Sequence, residues 1–295
     1  LVAPFSILNG RDGWWQSRKK AWLSLGIKSE VGRSTGDDED QSQALLLKSL
    51  SGRVPDYYLQ KSKAEKRLRR KLEREEFESK YLVMPPEGTI SHGGTSIFDP
   101  VVCELAYSWW SPRAGVVLDP FAGGSVRGIV AAKLGRKYVG MELREEQVEA
   151  NRDQAEEIGG FDHDPKWTAG DSSTELPSIK ADFVFSCPPY FDLEIYSDDP
   201  RDISSMTYSQ FRKMYFKIIE QAAGRLKMDR FACFVVGDIR DKKGAYRNFV
   251  SDTIEAFRKT GMELYNEAIL VTPPGSLPIR MGRQFAAGRK LGKTH

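Results

Sequence analysis

The sequence is short of the features that classify a protein fastest. It has three cysteines, Cys103, Cys187 and Cys233, far apart and with none of the close spacing of a metal finger. No metal site is therefore expected. So few thiols suit a reducing compartment, and the cytoplasm is the expected location. No apolar run approaches the roughly 20 residues that span a bilayer, and no signal peptide is visible, so no membrane partner is expected. No restriction endonuclease motif is apparent. The net charge is only +3, too small for global charge to demand a nucleic-acid partner; local clusters matter more. The chain opens on Leu1 rather than Met, so a missing N-terminus is expected.

What is present fits a globular protein. The chain has 295 residues, 40% hydrophobic and 29% charged, enough for one large domain or two small ones. Up to about Val54 the composition is rich in Gly, Ser and Trp with little periodicity. Arg11 to Trp22 interleaves aromatics with bases, which suits stacking on nucleic acid or, equally, an arm that packs its tryptophans on the main domain. The acidic run 36–40 reads as a solvated loop. From about Asp56 to Tyr81 the spacing predicts one charged helix, basic then acidic, with Glu65–Arg69 and Lys71–Glu75 within i,i+4 reach. It reads either as a solvent-exposed helix or as a phosphate-contacting one. Pro85-Pro86-Glu87-Gly88 breaks the chain, and a boundary is expected there: an arm with a charged helix over 1–88, which could contact DNA, and a second domain over 89–295.

After Gly94 strands and helices alternate. Helices are expected at 98–111, 125–134, 144–157, 206–226 and 247–259. Strands are expected at 116–119, 138–142, 166–169, 182–186, 231–236 and 262–271. The 206–226 segment carries Phe211, Met214, Tyr215, Ile218, Ala222 and Leu226 at helical period. The pattern implies an α/β fold, a Rossmann-like doubly wound and mostly parallel sheet with a helical, charged N-terminal extension. Such sheets bind ligands at the carboxyl ends of their strands.

Two of those ends carry the chemistry. Asp119-Pro120-Phe121-Ala122-Gly123-Gly124 turns from a strand into a helix, and glycines there let backbone approach a ligand. The next strand ends at Glu142, placed as a ribose acid is in dinucleotide folds. A third ends before Asp171, within reach of a base amino group. The G-x-G-x-x-G expected for a pyrophosphate is replaced by a turn with acids around it. That suits a cationic cofactor without phosphates. The second turn, Cys187-Pro188-Pro189-Tyr190, closes a strongly hydrophobic strand. That strand argues against an exposed proline-rich ligand motif.

On these motifs the chain resembles the S-adenosylmethionine-dependent DNA methyltransferases of the amino type, over about residues 90–272, and more loosely phage-type DNA methylases. The resemblance makes Asp119, Pro120, Phe121, Gly123 and Gly124 motif I, Glu142 the ribose acid and Asp171 the adenine-contacting acid. It makes Thr95 to Pro100, with Phe98 and Asp99, motif X at the methionine end. It implies S-adenosylmethionine as cofactor, DNA as partner, the cytoplasm of a bacterium or phage-infected host, and the methyltransferase fold. Cys187-Pro188-Pro189-Tyr190 stands where the family has Asp/Asn/Ser-Pro-Pro-Tyr. By that likeness Tyr190 stacks on a base flipped from the duplex, and side-chain and backbone oxygens accept the amine hydrogens of N4 of cytosine or N6 of adenine.

Cys187 departs from the family, because a thiol is a weak acceptor. Three readings stay open. Backbone carbonyls carry the chemistry and Cys187 is tolerated. Or Cys187 is a nucleophile on carbon 6 of cytosine, methyl goes to carbon 5, and Glu194 is the acid near N3. Or Cys187 is a plain buried residue and the protein is an inactive DNA-binding module. Elsewhere, Asp238 and Arg240 line a base pocket or form a surface pair. Cys103 and Cys233 read as core, and His92 as a lid or a structural residue. The basic tail from Pro273 reads as a DNA-backbone loop or a solvated end. The antiparallel strand that closes the family's sheet is not found before His295, so a clipped end is expected.

Overall fold

The computed structural model describes residues 6–27, 57–68, 70–72, 74–83, 97–191, 197, 199–241 and 244–272. The chain divides into two compact units, one formed by Leu1–Arg33 with Ile97–His295 and the other by Ser34–Ser96. Residues 6–27 belong to the unit that carries both motifs. The acidic run 36–40, His92, Thr95, Ser96, Glu194 and the tail from 273 onward lie outside the described residues.

The first unit begins with strand β1 (Ile7–Asn9) and helix α1 (Gly13–Leu23). The second unit holds α2 (Tyr57–Leu68) and α3 (Arg74–Lys80). The sequence predicts one helix there, and two are found. Leu72, Phe77 and Ala64 are apolar residues inside a charged stretch, and they are buried together with Leu68, Tyr81 and Leu82. A single straight helix could not bring them into one cluster. Glu65 accepts from the Leu72 amide at 3.1 Å, and Arg70 forks onto Glu76 at 2.9 and 2.7 Å.

The first unit continues with α4 (Pro100–Trp110), β2 (Val116–Asp119), α5 (Val126–Lys133), β3 (Lys137–Glu142) and α6 (Glu145–Ile158). It goes on through β4 (Lys166–Ala169), β5 (Ala181–Ser186), α7 (Tyr208–Arg225), β6 (Leu226–Phe234), α8 (Phe249–Lys259) and β7 (Ile269–Val271). The five-stranded sheet has the order β4-β3-β2-β5-β6, and every neighbouring pair is parallel. It is a Rossmann-like, doubly wound α/β sheet. Strand order reverses between β2 and β5, so the carboxyl ends of those two strands meet at the switch point.

Alternation on the central strands explains why both faces are covered. Val117, Phe183 and Phe185 point into a cluster with Tyr107, Ile129 and Val130, while Leu118 and Val184 point into another with Met141, Leu176 and Ala222. Strands buried on both sides read as continuous apolar runs, as β2 and β5 do. Gly128 lets α5 lie on Trp167 of β4; a Cβ at that position would collide with the indole.

Two strand expectations are corrected. The final strand is three residues rather than ten, and it pairs in parallel with β1 instead of joining the main sheet. Residues 262–268 run without regular structure, and Leu264 and Tyr265 are exposed. The strand expected at 231–236 starts earlier, at Leu226, directly after α7, with a register irregularity opposite Ala181–Phe183.

Candidate active site

The N-terminal arm is part of the unit that carries both motifs. Trp15 and Trp22 are buried, whereas Trp14 remains 54% exposed. Trp15 donates through Nε1 to Asp99 Oδ2 at 3.1 Å, and Lys19 Nζ reaches the same oxygen at 3.1 Å. Glu104 receives the Arg18 fork at 2.7 and 2.6 Å and the Trp22 indole at 2.6 Å. Asp99 also caps α4, its Oδ1 accepting from the Val101 amide at 3.0 Å. One carboxylate thus fixes both the start of α4 and the helix packed against it.

The second anchor is Asp119, the last residue of β2, which is fully buried. Its Oδ2 accepts from Arg127 Nε at 2.6 Å and from Tyr138 OH at 2.8 Å. Its Oδ1 accepts from Ser186 Oγ at 2.5 Å and from the Phe121 amide at 3.1 Å. Asp119 is therefore a brace: it ties together β2, the turn after it, α5, β3 and the end of β5. Arg127 then reaches from α5 to the carbonyls of Phe121 at 2.5 Å and Ala122 at 2.8 Å, and its guanidinium lies 4.8 Å from the Phe98 ring. Burial is the largest influence and opposes the Arg127 charge, but the charge of Asp119, the Tyr138 and Cys187 side chains and the hydrogen bond to Asp119 together outweigh it and hold the guanidinium protonated far into alkali. Burial, followed by Asp119, likewise pushes the Tyr138 hydroxyl well up, so it stays a donor.

The glycine turn itself is held from three sides. Gly123 has φ +49°, a left-handed conformation that favours glycine. Its amide donates to Glu142 Oε2 at 2.9 Å, and its carbonyl accepts from Asn151 Nδ2 at 2.7 Å. Asn151 belongs to a buried polar stripe along α6. Arg144 donates to Gln147 at 3.0 Å, Gln147 donates to Asn151 at 2.9 Å, and Gln154 accepts from Ser125 Oγ at 2.5 Å. Glu142 sits at the carboxyl end of β3, partly exposed, with Oε1 accepting from the Arg144 amide at 3.2 Å. Asp171 follows β4, half-buried, and closes its own turn onto Ser173 at 2.8 and 2.9 Å. Ser172 Oγ donates to the Pro120 carbonyl at 2.6 Å, which binds this turn to the first motif.

The second motif stands beside the first. Ser186, fully buried, precedes Cys187 and is bonded to Asp119, and its carbonyl accepts from the Val235 amide at 2.9 Å. Cys187 is half-buried, with its sulfur 3.8 Å from Tyr190 OH. Tyr190 OH donates onward to the Val235 carbonyl at 3.3 Å, and its ring meets Phe249 edge-on at 6.1 Å. Phe121 of the first motif lies in the same aromatic cluster as Tyr190. Phe98 packs edge-on against Phe185, directly under the second turn. Asp238 and Arg240 do not pair with each other: Asp238 accepts from the Val250 amide at 3.4 Å, and Arg240 lies 3.8 Å over the Tyr246 ring.

Of the residues expected at the site, Phe98, Asp99, Asp119, Pro120, Phe121, Gly123, Gly124, Glu142, Asp171 and Cys187 to Tyr190 all lie at or beside the carboxyl edge of the sheet, and Glu194 is not among the described residues. The sequence reading missed Arg127, Tyr138, Ser186 and the α6 stripe. A signal for the stripe existed, since Gln147, Asn151 and Gln154 recur at the spacing of a core face. Among the described residues no group of three potential ligands could hold a metal, and no helix is long and apolar enough to cross a membrane.

Residues 108–153 match the model of the N6/N4-type DNA methylase family. The matched segment runs from the end of α4 through β2, the glycine turn and β3 into α6. No curated protein sequence matches the chain. Among solved structures, it is similar to a magnesium protoporphyrin IX methyltransferase from Synechocystis PCC 6803 with bound S-adenosylmethionine. There the identity is 15% over 59% of this chain and 74% of that one, with a TM-score of 0.42. It is also similar to a putative methyltransferase from Bacillus halodurans C-125, at 15% identity over 57% and 70% with a TM-score of 0.42. A TehB-like S-adenosylmethionine-dependent methyltransferase from Corynebacterium glutamicum aligns at 18% over 59% and 77%, with a TM-score of 0.39.

Proposed function

We propose that this S-adenosylmethionine-dependent methyltransferase acts on DNA, at an exocyclic amino group of a base turned out of the duplex, N4 of cytosine or N6 of adenine. The observation that carries the reading is the Ser186–Asp119 hydrogen bond of 2.5 Å, which locks the Cys187–Tyr190 turn against the glycine turn of the family-matched segment. The residues present fit the cofactor. Gly123 supplies a backbone approach without a Cβ, and Glu142 and Asp171 offer carboxylates at successive strand ends and suit a cation with two ribose hydroxyls.

When bound, the cofactor supplies an electrophilic methyl group on a sulfonium. The chain's own work is to orient its acceptor. An exocyclic amine is a poor nucleophile because its lone pair is delocalised into the ring. Backbone carbonyls of the Cys187-Pro188-Pro189 turn accept its hydrogens and localise that pair, and two prolines keep the turn stiff. Tyr190, tethered to Val235 and Phe249, stacks on the extruded base. Cys187 is then a small residue tolerated at an acceptor position.

The test is labelled cofactor with mixed unmethylated DNA, followed by nucleoside mass analysis. Label in N4-methylcytosine or N6-methyladenine is the expected result. Label in 5-methylcytosine, with a covalent adduct to fluorinated cytosine DNA that Cys187→Ala abolishes, would select the nucleophilic route instead. DNA binding without label in any nucleoside would reduce the protein to a binding module.

A further inference from the structure

Arg247 stands in the connection between β6 and α8, and its surroundings are unusual for a partly buried cation. The guanidinium carbon is 4.9 Å from the ring centroids of both Phe191 and Tyr208. Phe191 directly follows Tyr190, so this arginine borders the second motif. Its backbone is fixed: the Arg247 amide donates to the Ile239 carbonyl at 2.9 Å, and Arg240 pairs with Tyr246 in an antiparallel bridge. Tyr208 OH donates to Asp252 Oδ2 at 2.7 Å and lies 3.4 Å from the Arg247 carbonyl. Yet the guanidinium makes no hydrogen bond or ion pair with any described residue, and its Nε is buried without a partner. The nearby carboxylates are engaged elsewhere. Asp252 and Glu255 hold Arg212 at 2.7 and 2.6 Å, and Asp238 accepts from the Val250 amide.

Only Nε is buried, and the two terminal nitrogens are not among the buried unpartnered atoms, so the fork stays open to a counter-charge from outside. The Phe191 and Tyr208 rings flank the guanidinium at 83° to each other, so little freedom is left to lose when its fork is filled. A planar fork of donors matches a phosphate. Turning a base out of the stack rotates its nucleotide about the backbone, so the flanking phosphate has to be held. We infer that Arg247 is a substrate-positioning residue that takes a backbone phosphate of the strand carrying the target base. The inference rests on the DNA reading above and deepens it: the acceptor is a polynucleotide, recognised in part by its phosphodiester, rather than a free base or nucleoside.

The full-length chain is assayed for methyl transfer to unmethylated genomic DNA over a range of DNA and salt concentrations, with cofactor affinity measured by calorimetry. Arg247→Met keeps the length and the packing on Phe191 and Tyr208 but removes the fork. Arg247→Lys keeps the charge without the plane. For Arg247→Met the KM for DNA rises roughly 10- to 100-fold with kcat changed less, and the slope of log affinity against log salt weakens by about 0.9, one phosphate contact. Arg247→Lys restores the slope but not the full KM, and cofactor affinity and melting temperature stay at wild-type values in both. Inorganic phosphate matched to the DNA phosphate concentration does not compete. If KM and salt slope are unchanged in Arg247→Met while the wild type methylates DNA, or if inorganic phosphate competes as well as DNA, the inference is overturned alone. A wild-type chain that transfers no methyl to DNA overturns the DNA reading, and the inference with it.

Discussion

Replacing Asp119 by Asn removes one charge and almost no volume, and the structure says what that does. The carboxylate takes four hydrogen bonds, from Arg127 and Tyr138 on one oxygen and from Ser186 and the Phe121 amide on the other. All four neighbours act as donors. An amide nitrogen in either orientation aims a donor at two donors. Arg127 keeps the Phe121 and Ala122 carbonyls but loses its buried counter-charge, in a pair whose side chains are 5% and 0% exposed. Breaking a buried pair by altering one partner costs about 3–5 kcal/mol, a large share of the roughly 5–15 kcal/mol that holds a domain folded. At roughly 2–4 °C per kcal/mol the melting temperature falls by about 6–20 °C. Urea unfolding followed by circular dichroism measures the loss. Arg127→Met should cost a similar amount, and the double variant should lose less than the sum, with a coupling of at least about 1 kcal/mol. An Asp119→Asn protein within about 0.5 kcal/mol of wild type, or strict additivity in the cycle, would refute the claim that this carboxylate is the brace between the two motifs.

Three further outcomes are expected. Glu142→Ala weakens S-adenosylmethionine binding by about 1–3 kcal/mol through lost ribose hydrogen bonds; unchanged affinity in calorimetry removes Glu142 from the cofactor site. Asn151→Ala leaves the Gly123 carbonyl and Gln147 without their partner, costs about 1–3 kcal/mol of stability and lowers cofactor affinity although Asn151 is 1% exposed; a variant matching wild type in both would sink the role of the α6 stripe. Burial pushes the Cys233 thiol up to about 12 from its ordinary 9.0. The unfolded chain releases that proton near pH 9 while the folded chain keeps it. The associated stability is therefore full below about pH 9 and declines toward about pH 12, by about 1.4 kcal/mol per unit. Unfolding followed at intervals from about pH 8.5 to about pH 10.5 should show a shallower decline in Cys233→Ala than in wild type, and parallel declines would contradict the assignment.

The alternation of strands and helices after Gly94 was legible along the chain, because strand and helix periods are local properties of side chains. So were the two strand-end turns, because Gly123 and the Pro188-Pro189 pair restrict the backbone within a few residues. Those elements fall within a residue or two of where they were expected from α4 through β5. The sequence could not show that Asp119 faces inward to Arg127, Tyr138 and Ser186, since those partners come from three different elements and meet only when the sheet assembles. Nor could it show that Trp15 and Trp22 hold Asp99 and Glu104 across more than 80 residues of chain. The charged segment near residue 70 misled for a related reason: its few apolar residues find one another by folding back, and charge periodicity says nothing about where a helix must break. These points emerge only in the assembled fold, because a buried hydrogen bond depends on where two elements lie in space, whereas propensity depends only on neighbours along the chain.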